Sequence, residues 1–482
     1  MKEIIFLVAL LFTGSAVAQI SWGPVIDVAS SSYGCNHPRV VLDGSGNALV
    51  CWGNSENMMF SRWNGSSFTT PTQINPAGVT IAEQTWMGPD IAAQGDIIYA
   101  VYKETPESDV ASDIYCVASA DGGMTWGSPV QVDAYIGSGV SRFPTVTIDD
   151  DGNPIVAFMK FDPGFTGARW VVSRSMDGGA TFGIDTLASG WSSATSEVCD
   201  CCPGSVTASS DYVAMCYRDN DSDIRDIWVG VSTDTATSFT SGMGVDQSAW
   251  NINYCPSSGP DAIIVGDTII SAFMNGATGM SRVYFNKSSI VDMVGSPGTL
   301  LTGSISGLSQ QNYPRISNYG SNAAIVWKQI VSGTTMIPVL FTTNIASGFP
   351  VMYDTVVVDD ITNTDLAVGN GEITVVWQNN IDGIVRCRKG TFTATTGLSE
   401  TSEKMFSIYP NPSSTAWNIT SGINEELKVT LTDLSGRVLI VTTYNPTKDE
   451  GLSIDNNYLS DGVYSLLIQG EQVRETQLLI KQ

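Results

Sequence analysis

PRVVLDGSGNALVCW, residues 38–52, is the stretch on which the fold turns. An alternating apolar run starts beside Pro38, passes through an Asp- and Gly-rich turn, and returns as a second apolar run ending on Trp52. Alternation with a period of two marks a strand, and Gly, Asp and Asn between two such runs mark a hairpin. The phrase recurs along the chain: PDIAAQGDIIYAVY from Pro89, PTVTIDDDGNPIVAF from Pro144, PGSVTASSDYVAMCY from Pro203, PDAIIVGDTIISAF from Pro260, PRISNYGSNAAIVW from Pro314 and TDLAVGNGEITVVW from Thr364. Successive starts lie 51, 55, 59, 57, 54 and 50 residues apart. Strand-rich repeats at such a period predict an all-β fold of the β-propeller type. The copies favour seven blades, with six as the alternative.

The chain has 482 residues, room for one large propeller and a small second domain. Its 47 Gly, 12 Trp and 16 Tyr suit a turn-rich β protein. Lys and Arg total 23 against 48 Asp and Glu, a formal charge of −25 that argues against nucleic-acid binding. Residues 1–18, MKEIIFLVALLFTGSAVA, carry a basic start, a short apolar run and a small-residue cleavage pattern, and are expected to be a signal peptide. That run is too short for a membrane-spanning helix, and no later segment is long enough either. The nine cysteines would then enter a compartment where disulfides persist.

Inside the second repeat, Asp113–Ser119 reads as a third strand, and a fourth is expected from Trp126 onward. The turn between them, SADGGMTW, places Ser119, Asp121, Gly123 and Trp126 in the order S-x-D-x-G-x-T-W. The third repeat has Ser175, Asp177, Gly179 and Phe182 in the same places, and a worn copy runs from Ser232 to Phe239. With Asn64 at the matching place in the first repeat, the key positions fall at 64, 121, 177 and 234. These turns resemble the Asp box (BNR repeat) of sialidase-like propellers, where they are structural and lie away from the active site. In physical terms, the Asp accepts backbone N–H groups of its own turn, and Gly supplies positive φ. The last repeat stops one strand short, and Ile20–Val28 mirrors Trp126–Val132, so the N-terminus is expected to complete it.

From about Leu398 the pattern changes. YPNP at Tyr409–Pro412, LKVTLTDLSGRVL from Leu427 and LSDGVYSLLI from Leu459 resemble, in order and across the whole tail, the C-terminal sorting domain of the type IX secretion system of Bacteroidetes. The residues themselves read as a small immunoglobulin-like β-sandwich. The expected division is a signal peptide over 1–18, a propeller over 19–395, a linker over 396–405 and a sorting domain over 406–482. The resemblance implies export by that secretion machinery and release or attachment at the outer cell surface.

In a propeller, ligands meet the loops that lead into each innermost strand or leave each second strand. Arg39, Arg142 and Arg315 stand at the starts of innermost strands and are candidates for an anion clamp, or for pairing with acidic residues of the funnel. Arg218 and Arg225 are further ligand candidates. Sialidases use a Tyr nucleophile with Glu and an Asp acid/base, and Tyr313, Glu104, Glu197, Asp219 and Asp226 are the positional candidates. The family's R-I-P motif is missing, because Pro precedes Arg at residues 38–39 and 314–315. His37 is the sole histidine, which nearly removes histidine catalysis.

Cys199, Cys201, Cys202, Cys216 and Cys255 fall on the same face of adjacent repeats. Disulfides, including a vicinal Cys201–Cys202 bridge, a thiolate metal site and a redox pair all remain open, and no metal ligands are assigned. Asp219, Asp221 and Asp223 alternate like a Ca²⁺ loop but lack its Gly and distal Glu. Three functions compete: a surface propeller binding a glycan or protein through its funnel, a sialidase-type glycoside hydrolase, and a cysteine-based metal or redox protein.

Overall fold

A large aromatic residue ends every second strand of the repeat: Trp52, Tyr102, Phe158, Tyr217, Phe273, Trp327 and Trp377, none more than 1% exposed. Each lies in a different apolar cluster, and each cluster is shared by two successive sheets. Burying one such side chain contributes roughly 1.5–3 kcal/mol, so the contacts between sheets are where stability concentrates. The computed structural model describes residues 20–107, 112–133, 139–193, 195–393, 406–421, 425–433, 437–446, 451–470 and 474–482. The expected signal peptide (1–18) and linker (396–405) lie outside the described residues.

The chain divides into two compact units, Met1–Thr395 and Thr396–Gln482. In the first, the described residues form seven antiparallel sheets, led in turn by the innermost strands Asn36–Leu42, Asp90–Gln94, Val140–Ile148, Ser205–Ala208, Asp261–Val265, Leu308–Tyr319 and Ile361–Val368. Each innermost strand packs on the next, and Ile361–Val368 packs back on Asn36–Leu42, so the sheets close a circuit. The last sheet is completed from the other end of the chain. Ser21–Asp27 pairs with Ile384–Thr391 and gives that sheet its fourth, outermost strand.

The third-to-fourth strand turns share one bonding scheme. Ser175 Oγ donates to Asp177 Oδ1 and accepts from Gly179 N at 2.8 Å, while Asp177 accepts from Thr181 N and Oγ1 at 2.8 and 2.6 Å. Ser119 and Asp121 repeat it with Gly123 and Thr125, and Ser232 and Asp234 with Ala236 and Ser238. The Thr125 bonds hold the Asp121 carboxyl down at about 2. Gly123 has φ +80° and lies so close to Phe60 that a Cβ would come within 2.4 Å of the ring; Ala236 takes the same position at φ 65°. At Asn64 the scheme differs: its Oδ1 accepts from the Ser66 and Ser67 amides, and Ser61 donates to Thr69 O. The fourth strand of the second sheet begins at Val130 rather than at Trp126. Trp126 packs edge-on against Phe60, its ring centre 5.1 Å away, and Pro129 has no N–H to offer a ladder.

The second unit has a three-stranded sheet (Phe406–Tyr409, Ala416–Ser421, Leu452–Asp455) and a four-stranded one (Val438–Tyr444, Leu427–Asp433, Gly462–Gln469, Arg474–Lys481). Both feed one core that includes Trp417, Leu431, Tyr464 and Leu466. The YPNP segment ties the unit's ends together: Asn411 Oδ1 accepts from Ile480 N at 2.8 Å, and Ser413 N donates to Ile480 O at 2.9 Å. Asp433 accepts from the Arg437 backbone and side chain, both at 3.1 Å, which accounts for the D-x-x-G-R pattern.

Candidate functional site

Three innermost strands begin in the same unusual way. His37, Phe143 and Tyr313 each precede a proline at positive φ (52°, 56° and 52°), and pairing slips at that point in all three strands. Such bulges redirect side chains and cluster at sites where a chain must aim a group. Just beyond the bulge, one position recurs by register in every sheet: Arg39, Asp90, Thr145, Ser205, Asp261, Arg315 and Asp365, each paired with the residue before the buried aromatic.

These positions form a charged belt around the channel. Arg315 Nε lies 2.9 Å from Asp365 and 3.4 Å from Asp261, and Arg39 Nε lies 3.5 Å from Asp90. Each carboxylate also accepts a backbone amide of the following sheet: Asp365 from Val40, Asp90 from Val146 and Asp261 from Ile316. The belt thus stitches neighbouring sheets while neutralising the arginines. Burial pushes the Asp261 carboxyl up against the pull of Arg315, and Arg315 itself is raised by Asp261 and Asp365 after burial lowers it. Burial, then the charges of Arg39 and Arg315, hold His37 far below its usual range, so it stays neutral, with Nε2 beside Arg39 Nη2.

The belt brings together Arg39 and Arg315 but not Arg142. Arg142 is held by Glu107, by Asp200 O at 3.2 Å and by the Phe143 ring, and it does not line the cavities that Arg39 and Arg315 share. The expected clamp of three is therefore not assembled. On the side of the bulges those shared cavities measure only about 50 and 20 Å³. On the other side of the belt a cavity of about 770 Å³ opens among the first-to-second strand turns, lined by Asp43, Ser45, Tyr319, Asn370 and Glu372.

The catalytic candidates are scattered. Tyr313 is half-buried beside His37, its hydroxyl pushed up by burial, and no hydrogen bond joins it to a carboxylate among the described residues. Glu197 is exposed and accepts from Gly167 N. Glu104 forms a bridge with Ile81 at the end of a second strand. Asp226 caps a loop, accepting from Ser248 Oγ and the amides of Ala249 and Trp250. Asp219 is 1% exposed; burial drives its carboxyl up to about 6 despite a bond from Ser192, and its Oδ1 has no partner. Arg218, read as a ligand contact, is fully buried and gives its nitrogens to the carbonyls of Ser258, Arg225 and Met274. Arg225 is buried too, facing Ile252 O and Cys199 Sγ. Neither is free to meet a ligand.

The Asp219–Asp223 stretch is a tight hairpin. Asp221 and Ile224 exchange backbone bonds across Ser222 and Asp223, both at positive φ. Asp219 points to Ser192 and Asp223 towards Arg225, so the carboxylates diverge instead of forming a Ca²⁺ loop.

The cysteines pair as Cys199–Cys202 and Cys201–Cys255. Two expectations are corrected: Cys201 and Cys202 are not bonded to each other, and Cys216 is a free thiol. Cys216 lies mid-strand, and strand alternation turns it into the apolar cluster of Ala214, Val229 and Phe273, where burial raises its pKa. Cys35, Cys51, Cys116 and Cys387 are also free and buried. The loop's position follows from the fourth sheet. Glu197–Val198 and Ser205–Ala208 both pair with Val213–Asn220, at opposite ends, and the cysteine loop is what joins them.

Residues 407–482 match the secretion system C-terminal sorting domain, which directs the chain out of the cell through the type IX machinery and to the cell surface. The chain is thus an exported all-β protein, and no helix among the described residues is long and apolar enough to cross a membrane. No curated protein matches it significantly. Solved structures similar to it are β-propeller glycosidases and lyases. A Hadza microbial sialidase is 14% identical over 61% of this chain, with a TM-score of 0.42, and the match spans 63% of that sialidase. An ulvan lyase is 10% identical over 77% of this chain and 94% of its own, with a TM-score of 0.48. The Trypanosoma rangeli sialidase is 10% identical over 96% of this chain and 89% of its own, with a TM-score of 0.43.

Proposed function

We propose that this chain is a surface-delivered, seven-bladed, sialidase-like propeller that binds a ligand without cleaving it, followed by an immunoglobulin-like sorting domain. The closed circuit of seven sheets supports the blade count, and the shared serine–aspartate turns support reading them as Asp boxes. On this reading residues 1–18 are a signal peptide and the propeller runs over 19–395.

The observation that carries the binding reading is the neutralised belt. A sialic-acid clamp needs cationic groups free to meet a carboxylate, and here Arg315 is bonded to Asp365 and paired with Asp261, while the largely buried Arg39 faces Asp90 at 3.5 Å, an ion-pair contact without a hydrogen bond from its Nε. Ligand cavities measure about 300–1,000 Å³, which the space on the turn side satisfies and, among the described residues, the two cavities shared by Arg39 and Arg315 on the bulge side do not. Its lining mixes five carboxylates and a few hydroxyls with apolar side chains such as Val40, Leu42, Ile316 and Leu366 and with Arg315, which is already paired with Asp261 and Asp365; Tyr319, 53% exposed, is also part of it. That chemistry suits an uncharged glycan, which hydrogen-bonds carboxylates and stacks on an aromatic ring, and it repels anionic sugars. The test is a glycan array beside a fluorogenic sialoside assay. Binding of neutral glycans, lost in Tyr319→Ser, is expected; sialoside turnover that disappears in Arg39→Ala would overturn the proposal.

A further inference from the structure

The sulfurs of Cys199, Cys201, Cys202 and Cys255 all lie within 4.8 Å of one another. Four sulfurs around one Zn²⁺ at about 2.3 Å stand about 3.8 Å apart, so no pair is more than about an ångström too far apart, and each bonded pair, at a disulfide's roughly 2 Å, would open by just under 2 Å.

The surroundings of the cluster are those of negative sulfur. Arg225, 7% exposed, directs Nη1 at Cys199 Sγ across 3.1 Å, while the carboxylate nearest to it, Asp223, is 4.0 Å away and half in solvent. Ser257 N donates to Cys255 Sγ at 3.3 Å, and Ser257 Oγ lies 3.2 Å from the same sulfur. A disulfide sulfur is a weak acceptor, whereas a thiolate gains from every such donor. Cys199 and Cys202 are buried and Cys201 and Cys255 half-buried, which leaves a route for an ion from solvent.

We propose that these four cysteines are a tetrathiolate site for a soft d¹⁰ divalent cation, Zn²⁺ by chemical class, which the two disulfides close when the chain is oxidised. Each disulfide is opened by two equivalents of a thiol reductant, giving two Cys–SH and one oxidised reductant disulfide. Four Cys–SH and one Zn²⁺ then give a tetrathiolate of net charge −2 and release four protons. Arg225 offsets part of that charge from within the protein. Oxidation by a disulfide donor reverses the sequence and expels the ion. This site is independent of ligand binding in the channel.

The test uses the full chain, reduced under argon with a phosphine and titrated with Cd²⁺. One Cd²⁺ per chain is expected, with a cadmium–thiolate charge-transfer band and protection of these four cysteines from alkylation. Cys255→Ser should weaken binding at least tenfold. Arg225→Gln keeps all four sulfurs and should still weaken binding about tenfold, as loss of an outer-shell partner does. Circular dichroism reports the fold of each variant. The proposal is overturned by a missing band, by an equal band in a Cys201→Ser/Cys255→Ser chain, or by a reduced chain that unfolds and is not restored by Cd²⁺.

Discussion

The charged belt takes one position from every sheet, whereas the cysteine loop occurs in the fourth sheet alone. Both bury polar groups beside a channel or a seam, yet they differ in how those groups are satisfied. In the belt, Asp90, Asp261 and Asp365 each take an amide from the next sheet as well as an arginine, so the charges are part of the closure. In the loop, Arg225 meets a sulfur instead of a close carboxylate. Repetition along the chain thus goes with scaffold, and the departure from repetition is where the proposed metal site falls.

The sharpest way to break that comparison is to unpair the belt. Arg315→Met strands two buried carboxylates at once, and removing one partner of a buried pair costs about 3–5 kcal/mol. Arg142→Met removes a single ion pair, with Glu107, together with its bond to Asp200 O and its contact with the Phe143 ring, and strands one carboxylate instead of two, so it should cost less, about 1–3 kcal/mol. Urea denaturation of the two variants measures both. Equal losses would show that the belt is not a special element of closure. The cysteine loop comes next. In the oxidised chain the Cys201–Cys255 bridge spans 54 residues and should contribute up to about 4 kcal/mol, by the loop-closure argument. The Cys199–Cys202 bridge spans 3 residues and should contribute about 1.5 kcal/mol. Thermal melts of Cys255→Ser and Cys202→Ser should fall in that order.

The scaffold was legible because its signal is periodic. Seven aromatic residues at one register position, and serine–aspartate turns about 57 residues apart, state the sheets and their spacing directly. The belt was legible in principle: Asp90, Asp261 and Asp365 occupy the repeat position of Arg39 and Arg315, and aligning the copies would have paired them. Arg142 misled because it precedes its proline while Arg39 and Arg315 follow theirs, which places it on the other side of the bulge. The cysteine pairing was not legible, since it depends on how a loop between two strand segments folds back, and no periodicity governs that. Cys216 could have been set aside by alternation alone, as it faces away from Tyr217 into the next sheet's core.

A smaller effect tests whether the fourth sheet carries strain that the belt avoids. The Asp219 carboxyl titrates at about 6 in the fold, against about 3.9 when unfolded. Between those values the native state binds more protons, so stability falls as pH rises from about 4 to about 6, by at most about 3 kcal/mol. Asp219→Asn should remove this slope and leave the variant the more stable of the two near pH 7.5. Chemical denaturation at several pH values decides it: parallel curves for the two proteins would mean that the buried carboxyl is satisfied by a partner other than Ser192.

The turns give the finest comparison, because three share one scheme and one does not. Ser175 Oγ serves both the Gly179 amide and Asp177, whereas Ser61 Oγ donates to Thr69 O and meets the Thr69 hydroxyl, with no backbone amide among its partners. Ser175→Ala leaves backbone donors at Gly179 and Asp177 without their acceptor and should cost about 1–3 kcal/mol. Ser61→Ala orphans no amide, and its cost should stay near or below about 1 kcal/mol. Melting both variants beside the parent measures the difference. If Ser61→Ala proves as damaging as Ser175→Ala, the hydroxyl matters only as a small buried group, and the turn scheme is not what selects serine at these positions.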